Sequence, residues 1–380
     1  MKRLKIPILR LPYTQEEIDF INNGITDVLK SGYLTMGGKV AQFERMFADF
    51  VGVKYAIAAN SGTSSLEIIL RAIGVEGRTV IIPSNTFIAS AMSVVHAGGK
   101  VIFADCQREN LQLDPEDLRK KIRSDTKAVM LVHIGGIISP AFHEIREICH
   151  RKGLLLIEDA AHAQGATIDG RKAGTLSIAA SFSFYPTKVL TTAEGGMITT
   201  DDDSIYQSAI TLRDHGKPDP EANVHTEIGY NWRFSELHAV LGLQQMMKIE
   251  SILAERRKIA QLYDAKLEGV KGIKKLEIPP NIEPSYYKYI VFLEDGFDRN
   301  EVKRELRDKY GVSLTGEVYS HPCHSQPVFA KYPQVVANDP SDTFPQTEYI
   351  AQRHICLPLY LGLTEEEIDY VVESLKKVLS

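Results

Sequence analysis

The apolar residues of this chain change their period along its length, and each change marks a new kind of element. Near the start, Ile18, Ile21, Ile25, Val28 and Leu29 recur at helical spacing. A capping box, Thr14-Gln15-Glu16-Glu17, precedes them and Gly32 follows, so the pattern predicts a first helix with both ends defined. After a glycine-rich loop, Ser31 to Gly38, the positions Val40, Phe43, Phe47 and Phe50 predict a second helix. From Tyr55 onward the runs become short: Tyr55 to Asn60, Thr79 to Pro83, Lys100 to Asp105, Ala128 to His133, Leu154 to Ala160, Ala179 to Phe184 and Met197 to Thr200. They are rich in Val and Ile, mostly apolar throughout rather than alternating, and several are followed by a helix-length interval. Strands covered on both faces of a largely parallel sheet have this pattern. The expected fold is therefore α/β, a three-layer α/β/α sandwich with ligand chemistry at the carboxyl ends of its strands.

A smaller α+β unit is expected at the C-terminal end. A charged helix from Ile249 to Val270 leads into it, and Tyr286 to Leu293 reads as a strand. Arg299 to Tyr310 reads as a helix and Cys356 to Leu359 as a short strand. A second capping box, Thr364-Glu365-Glu366-Glu367, opens a closing helix with Ile368, Val371, Val372 and Leu375 on one face. The expected division is an arm over residues 1–12, a large cofactor-binding domain over 13–248 and a small domain over 249–380.

Composition narrows the classes. At 380 residues the chain exceeds the length at which single cores usually stop growing. The formal charge is -5 and like charges form no long block, so nothing asks for nucleic acid. No apolar run reaches the roughly 18 residues of a membrane span, and Met1 to Pro7 lacks the apolar core of a signal peptide. A cytoplasmic protein without a membrane partner is expected. Cys106, Cys149, Cys323 and Cys356 form no CxxC pair, which fits reduced thiols, and no His or Cys spacing matches a metal site, so no metal is expected.

Four strand ends carry chemistry. Asn60-Ser61-Gly62-Thr63-Ser64 lies at a strand-to-helix turn, where free amides and hydroxyls suit a phosphate. Pro83-Ser84-Asn85-Thr86-Phe87 puts an aromatic at the same edge, and Glu158-Asp159 follows four apolar residues. Lys188 follows the run Ser181-Phe182-Ser183-Phe184-Tyr185-Pro186-Thr187 and precedes Glu194-Gly195-Gly196. Each alone has an ordinary reading: an N-cap, a core aromatic, a structural ion pair, a solvated lysine. Neither a Walker loop nor a GxGxxG occurs, which weakens the nucleotide readings. Together the four supply a phosphate turn, a stacking ring, an anion for a protonated ring nitrogen and an amine for an imine. Those are the needs of pyridoxal 5'-phosphate.

In this order the motifs, extended by Ala160-Ala161-His162, Gly229-Tyr230-Asn231-Trp232-Arg233, Pro322-Cys323-His324 and Leu357-Pro358-Leu359, resemble the DegT-like sugar aminotransferases, pyridoxal-phosphate enzymes of fold type I. The resemblance implies that Lys188 binds the cofactor covalently and moves the proton. It implies Asp159 at the pyridine nitrogen, Phe87 on the ring face and His162 near the ring hydroxyl. Gly62, Thr63, Ser64 and Ser183 would hold the phosphate. Asn231 would reach the neighbouring subunit's cofactor, so a homodimer with shared sites is implied. Tyr33, Thr35, Tyr319 and His324 fall in loops similar to those around the sugar. The implied reaction moves an amino group from an amino acid, glutamate by resemblance, to a keto sugar, most often nucleotide-linked. His133 to Ser139 and the turn at Gly362 depart from the family pattern and leave the substrate open. Alternatives remain: a lyase, dehydratase or cyclitol aminotransferase on the same scaffold, or a sensor that binds without turnover.

Overall fold

The computed structural model describes residues 3–219 and 221–380; Met1 and Lys2, the start of the expected arm, lie outside them. The first helix, α1 (Gln15–Ser31), is capped by Thr14 and Glu17 reciprocally and ends at Gly32, whose φ of 73° is left-handed. Next come α2 (Gly38–Val51) and β1 (Tyr55–Ala59), then α3 (Gly62–Ala72), β2 (Thr79–Pro83), α4 (Ile88–His96) and β3 (Lys100–Ala104). Strands β4 (Thr126–Val132) and β5 (Leu155–Asp159) follow, then the two-residue strands β6 (Thr167–Ile168) and β7 (Arg171–Lys172), then β8 (Ala180–Ser183) and β9 (Gly196–Thr200).

Seven of these form one sheet in the order β1-β9-β8-β5-β4-β2-β3. From β8 to β3 all pairings are parallel, while β9 runs antiparallel to both β1 and β8. The largely parallel sheet is thus observed, with antiparallel pairing confined to one side. Both faces are covered, as the uninterrupted apolar runs require. Leu156 packs in a cluster with Phe43, Phe47, Phe142 and Leu243. Its neighbour Ile157 packs on the other face with Leu66, Ile69, Val94 and Ile198.

A second sheet contains β10 (Ile273–Lys275), β12 (Tyr289–Leu293) and β13 (His354–Leu357), and β11 (Ile282–Glu283) joins β6 and β7. Around the second sheet Tyr263, Val291, Leu306, Ile355, Val371 and Leu375 form a separate core. Several expected boundaries shift. The charged helix ends at Lys266 rather than Val270, and β13 runs from His354 to Leu357 rather than from Cys356 to Leu359. Strand β12 starts at Tyr289, not Tyr286, because Tyr286 is left-handed at φ 50° and the amides of Ser285 and Lys288 donate to the carbonyls of Gly136 and Gly135. The segment between is docked on the large sheet's loops before it can enter a strand ladder.

Candidate active site

At the carboxyl ends of β1, β5 and β8 lies a cleft of about 430 Å³, lined among others by Gly62, Thr63, Phe87, Asp159, His162, Ser183, Lys188, Tyr287 and Tyr319. Its floor begins where β1 turns into α3. Ser61 caps the helix by accepting from the Ser64 amide at 3.1 Å, while the amides of Gly62 and Thr63 have no acceptor among the described residues. Two orphan donors at a helix N-terminus favour an anion. Close packing keeps them accessible: a Cβ at Gly62 would stand 2.9 Å from the Ser183 Cβ, and one at Gly196 only 2.3 Å from the Ser61 carbonyl oxygen. Only glycine lets the turn, β8 and β9 approach this closely.

Strand β5 supplies the carboxylates, and the two-residue period of the strand sends them to opposite faces. Glu158 is wholly buried and accepts from His133 Nε2 at 2.9 Å, the Gly174 amide at 2.8 Å, the Leu176 amide at 3.0 Å and the Ser177 hydroxyl at 3.0 Å. It is a fully satisfied structural group. Asp159 turns instead to the cleft, accepting from Ser90 Oγ of α4 at 2.7 Å and the Ala161 amide at 3.2 Å. Ser90 is in turn 2.6 Å from the Thr86 hydroxyl, so a short chain of hydroxyls fixes the carboxylate.

Lys188 lies five residues past β8, in a turn closed by its own amide donating to the Tyr185 carbonyl at 2.9 Å. Its Nζ stands over the Tyr287 ring, 4.7 Å from the centroid. Burial pushes the amine down to about 8; the Asp159 carboxylate opposes this and the Lys288 ammonium adds to it. The His162 imidazole stacks on the other partner of this group, the Tyr287 ring, at 4.1 Å, and approaches Tyr319 Oη at 3.3 Å. Burial, reinforced by Lys188 and Lys288, holds His162 well below its usual value, so the ring is neutral, and its Nδ1 has no partner among the described residues. Phe87 is 55% exposed, its ring open to the cleft and 5.7 Å from that of Tyr319.

Of the residues singled out in the sequence, Gly62, Thr63, Phe87, Asp159, His162, Ser183, Lys188 and Tyr319 meet at the cleft. Ser64 does not: its hydroxyl is bonded to Asn60 and Ser61 and its amide to Ser61, so it braces the turn from behind. His324 is drawn away, bonded to Ser84 and stacked on Phe344 at 4.2 Å. Thr35 donates to the Phe234 carbonyl, Tyr33 is 74% exposed, and exposed Asn231 bridges to Asp214; none of the three lines the cleft of its own chain. Ser90 and Tyr287 were not anticipated. The serines in the apolar run of α4, Ser90 and Ser93, were the available signal for the first, whereas Tyr287 comes from a distant segment that no local pattern connects to Lys188.

Orphan amides for a phosphate, a braced carboxylate for a ring nitrogen, an unpartnered imidazole nitrogen and a partly desolvated amine fit pyridoxal 5'-phosphate. Fold and cleft together define a pyridoxal-phosphate aminotransferase of fold type I. The model of the DegT/DnrJ/EryC1/StrS aminotransferase family matches residues 15–376. Over 349 residues, 91% of each chain, the sequence is 36% identical to the GDP-perosamine synthase of Caulobacter vibrioides. DesV of S. venezuelae, solved in complex with a ketimine intermediate, superposes with a TM-score of 0.91 at 29% identity, covering 99% of both chains. The PLP form of the putative sugar aminotransferase Spr1654 from Streptococcus pneumoniae gives 0.88 at 28% identity, covering 99% of both. The chain belongs to the DegT/DnrJ/EryC1/StrS aminotransferase family and is a pyridoxal-phosphate-dependent transaminase.

Proposed function

We propose that this enzyme transfers the amino group of an amino acid, glutamate in the first instance, to a keto sugar carried on a nucleotide, in amino-sugar biosynthesis. The observation that carries the reading is the meeting of Lys188 and Asp159 at one cleft floored by the free amides of Gly62 and Thr63. The name of the Caulobacter relative supports a nucleotide-linked sugar. Bound here, the cofactor would supply an aldehyde for an amine and an electron sink for the carbon that loses its proton. Gly62, Thr63 and Ser183 would hold its phosphate, and Asp159 would keep its ring nitrogen protonated. Phe87 would cover one ring face. Lys188, with its amine pushed down to about 8, is neutral in about a tenth of molecules at pH 7, far more than an ordinary lysine, and would shuttle the proton in both half-reactions. Neutral His162 would hydrogen-bond near the ring hydroxyl.

A homodimer belongs to the same proposal, with Asn231, Tyr33 and Thr35 of one protomer completing the cleft of its partner. None of the three lines the cleft of its own chain, and Tyr33, Leu34 and Ile228 are exposed, which supports it. Tyr319 would face the sugar, while His324 would act only through Ser84. The division at residue 249 rests on the separate core around the second sheet. A cytoplasmic setting is supported by four buried free thiols; among the described residues no helix is long and apolar enough to cross a membrane. The test is turnover of a panel of nucleotide-linked keto sugars with glutamate. Aminated sugar with stoichiometric 2-oxoglutarate supports the proposal. Loss of water without a donor would indicate the lyase alternative, and cofactor binding without turnover would indicate a sensor.

A further inference from the structure

The segment Ser285 to Lys288 is built into the cleft wall from two sides. On one side the loop after β4 makes a socket: Gly136, at φ 86°, accepts from the Ser285 amide at 2.9 Å, and Gly135 accepts from the Lys288 amide at 3.1 Å. A Cβ on Gly136 would stand 2.3 Å from Ser285 Oγ and 2.8 Å from the Tyr287 nitrogen, so this socket exists only because glycine stands there. Ser285 Oγ also donates to the His162 carbonyl at 2.8 Å. From the other side the buried Arg256 guanidinium donates to the carbonyls of Tyr286 and Tyr287 at 2.8 and 3.1 Å.

What the clamped segment presents is one ring shared by two lysines. Lys188 Nζ lies 4.7 Å and Lys288 Nζ 5.0 Å from the Tyr287 centroid, so the two nitrogens are separated by no more than those distances together. Neither amine has a carboxylate within ion-pair distance among the described residues. An aromatic face attracts an ammonium, but two ammoniums sharing one ring repel each other across a poorly screened wall.

We propose that Lys288 is a positioning residue for Lys188: by bringing a second positive charge to the same Tyr287 ring, it biases the Lys188 amine toward its neutral, nucleophilic form. This rests on the reading of Lys188 as the reactive amine. The titratable groups that line the cleft with Lys188 are Asp159, His162, Tyr185, Glu194, Tyr287 and Tyr319, and Lys288 shares the Tyr287 ring with it. Asp159 favours the charged amine and neutral His162 exerts no charge on it, which leaves burial first, and Lys288 after it, to oppose Asp159. Around Lys288 stand Arg256, Lys303, Glu317 and the buried thiol Cys356. Burial lowers Lys288 too, and Glu317, which favours its charged form, is itself engaged by Lys303.

The test is competitive lysine labelling of the full-length, cofactor-free protein with acetic anhydride across pH 6 to 11, with Lys188 quantified by peptide mass spectrometry. Wild type, K288M, K288Q and K288R are compared. K288M and K288Q are expected to raise the Lys188 midpoint by about one unit, about tenfold less labelling at a fixed pH below it. K288R, which keeps the charge, is expected to retain the wild-type midpoint. An unchanged midpoint in whichever neutral variant folds, or an equal shift in K288R, overturns the proposal. Borohydride trapping of pyridoxal phosphate on Lys188 is measured in parallel. If trapping fails in the wild type, the reading of the site fails on its own account, whatever the midpoints show.

Discussion

Lys188 costs the fold stability in exchange for reactivity. Its amine falls from 10.5 to about 8 in the folded chain. Below pH 8 both folded and unfolded chains hold the proton, and the full cost of burying the charge is present. Between about 8 and 10.5 only the unfolded chain holds it, so stability rises with pH; above that range the cost has gone. K188M should therefore stabilise the cofactor-free protein by up to roughly 3 kcal/mol at pH 7, and the advantage should shrink steeply by pH 11, as read from urea unfolding at both values. The same variant should lose amino transfer altogether. D159N should keep the fold but lose transfer by roughly 10²–10³-fold in kcat, because the ring nitrogen loses its anion. The Ser90 hydroxyl that orients Asp159 makes S90A a milder version of the same defect.

Within β5, adjacent carboxylates divide labour, and the two-residue period of a strand explains it. E158A should destabilise the protein by roughly 3–5 kcal/mol in urea unfolding, because it strands His133, two amides and a hydroxyl in the interior, whereas D159N should cost far less. At the phosphate turn, G196A should weaken cofactor retention by at least about tenfold, since its Cβ would meet the Ser61 carbonyl and push the turn away from β9. Cofactor release followed by intrinsic fluorescence checks this. Elements with strong local signals were readable directly: both capping boxes, the buried apolar strands and the Ser61-Gly62-Thr63 turn stand where their patterns put them. The start of β12 was not, because Tyr286 and Tyr287 look like strand residues until the Gly135-Gly136 socket and Arg256 claim them. The same reason hid Tyr287 as the wall under Lys188. His324 and Ser64 carried family-like positions, yet local partners turn both side chains from the cleft.

At the scale of the molecule, the proposed dimer is the feature to test. Leu29, Tyr33, Leu34, Ile228 and Met247 are exposed, and the proposed dimer would cover apolar side chains of this kind. The proposed dimer should appear in sedimentation velocity as a single species of twice the chain mass, and I228D should shift it toward monomer. Shared sites make a sharper prediction. A heterodimer of K188A and N231A protomers contains one site with both Lys188 and Asn231 intact, and so should recover about half of wild-type turnover, while each variant alone recovers little. The central claim, transfer of an amino group through Lys188, is tested most directly by isotope. Purified protein is incubated with pyridoxal phosphate, nitrogen-15 glutamate and nucleotide-linked keto sugars, and the sugar product is weighed by mass spectrometry. The account predicts one heavy nitrogen per product sugar with wild type and none with K188A. Heavy sugar formed equally well by K188A, or none formed by wild type from any sugar of the panel, would contradict it.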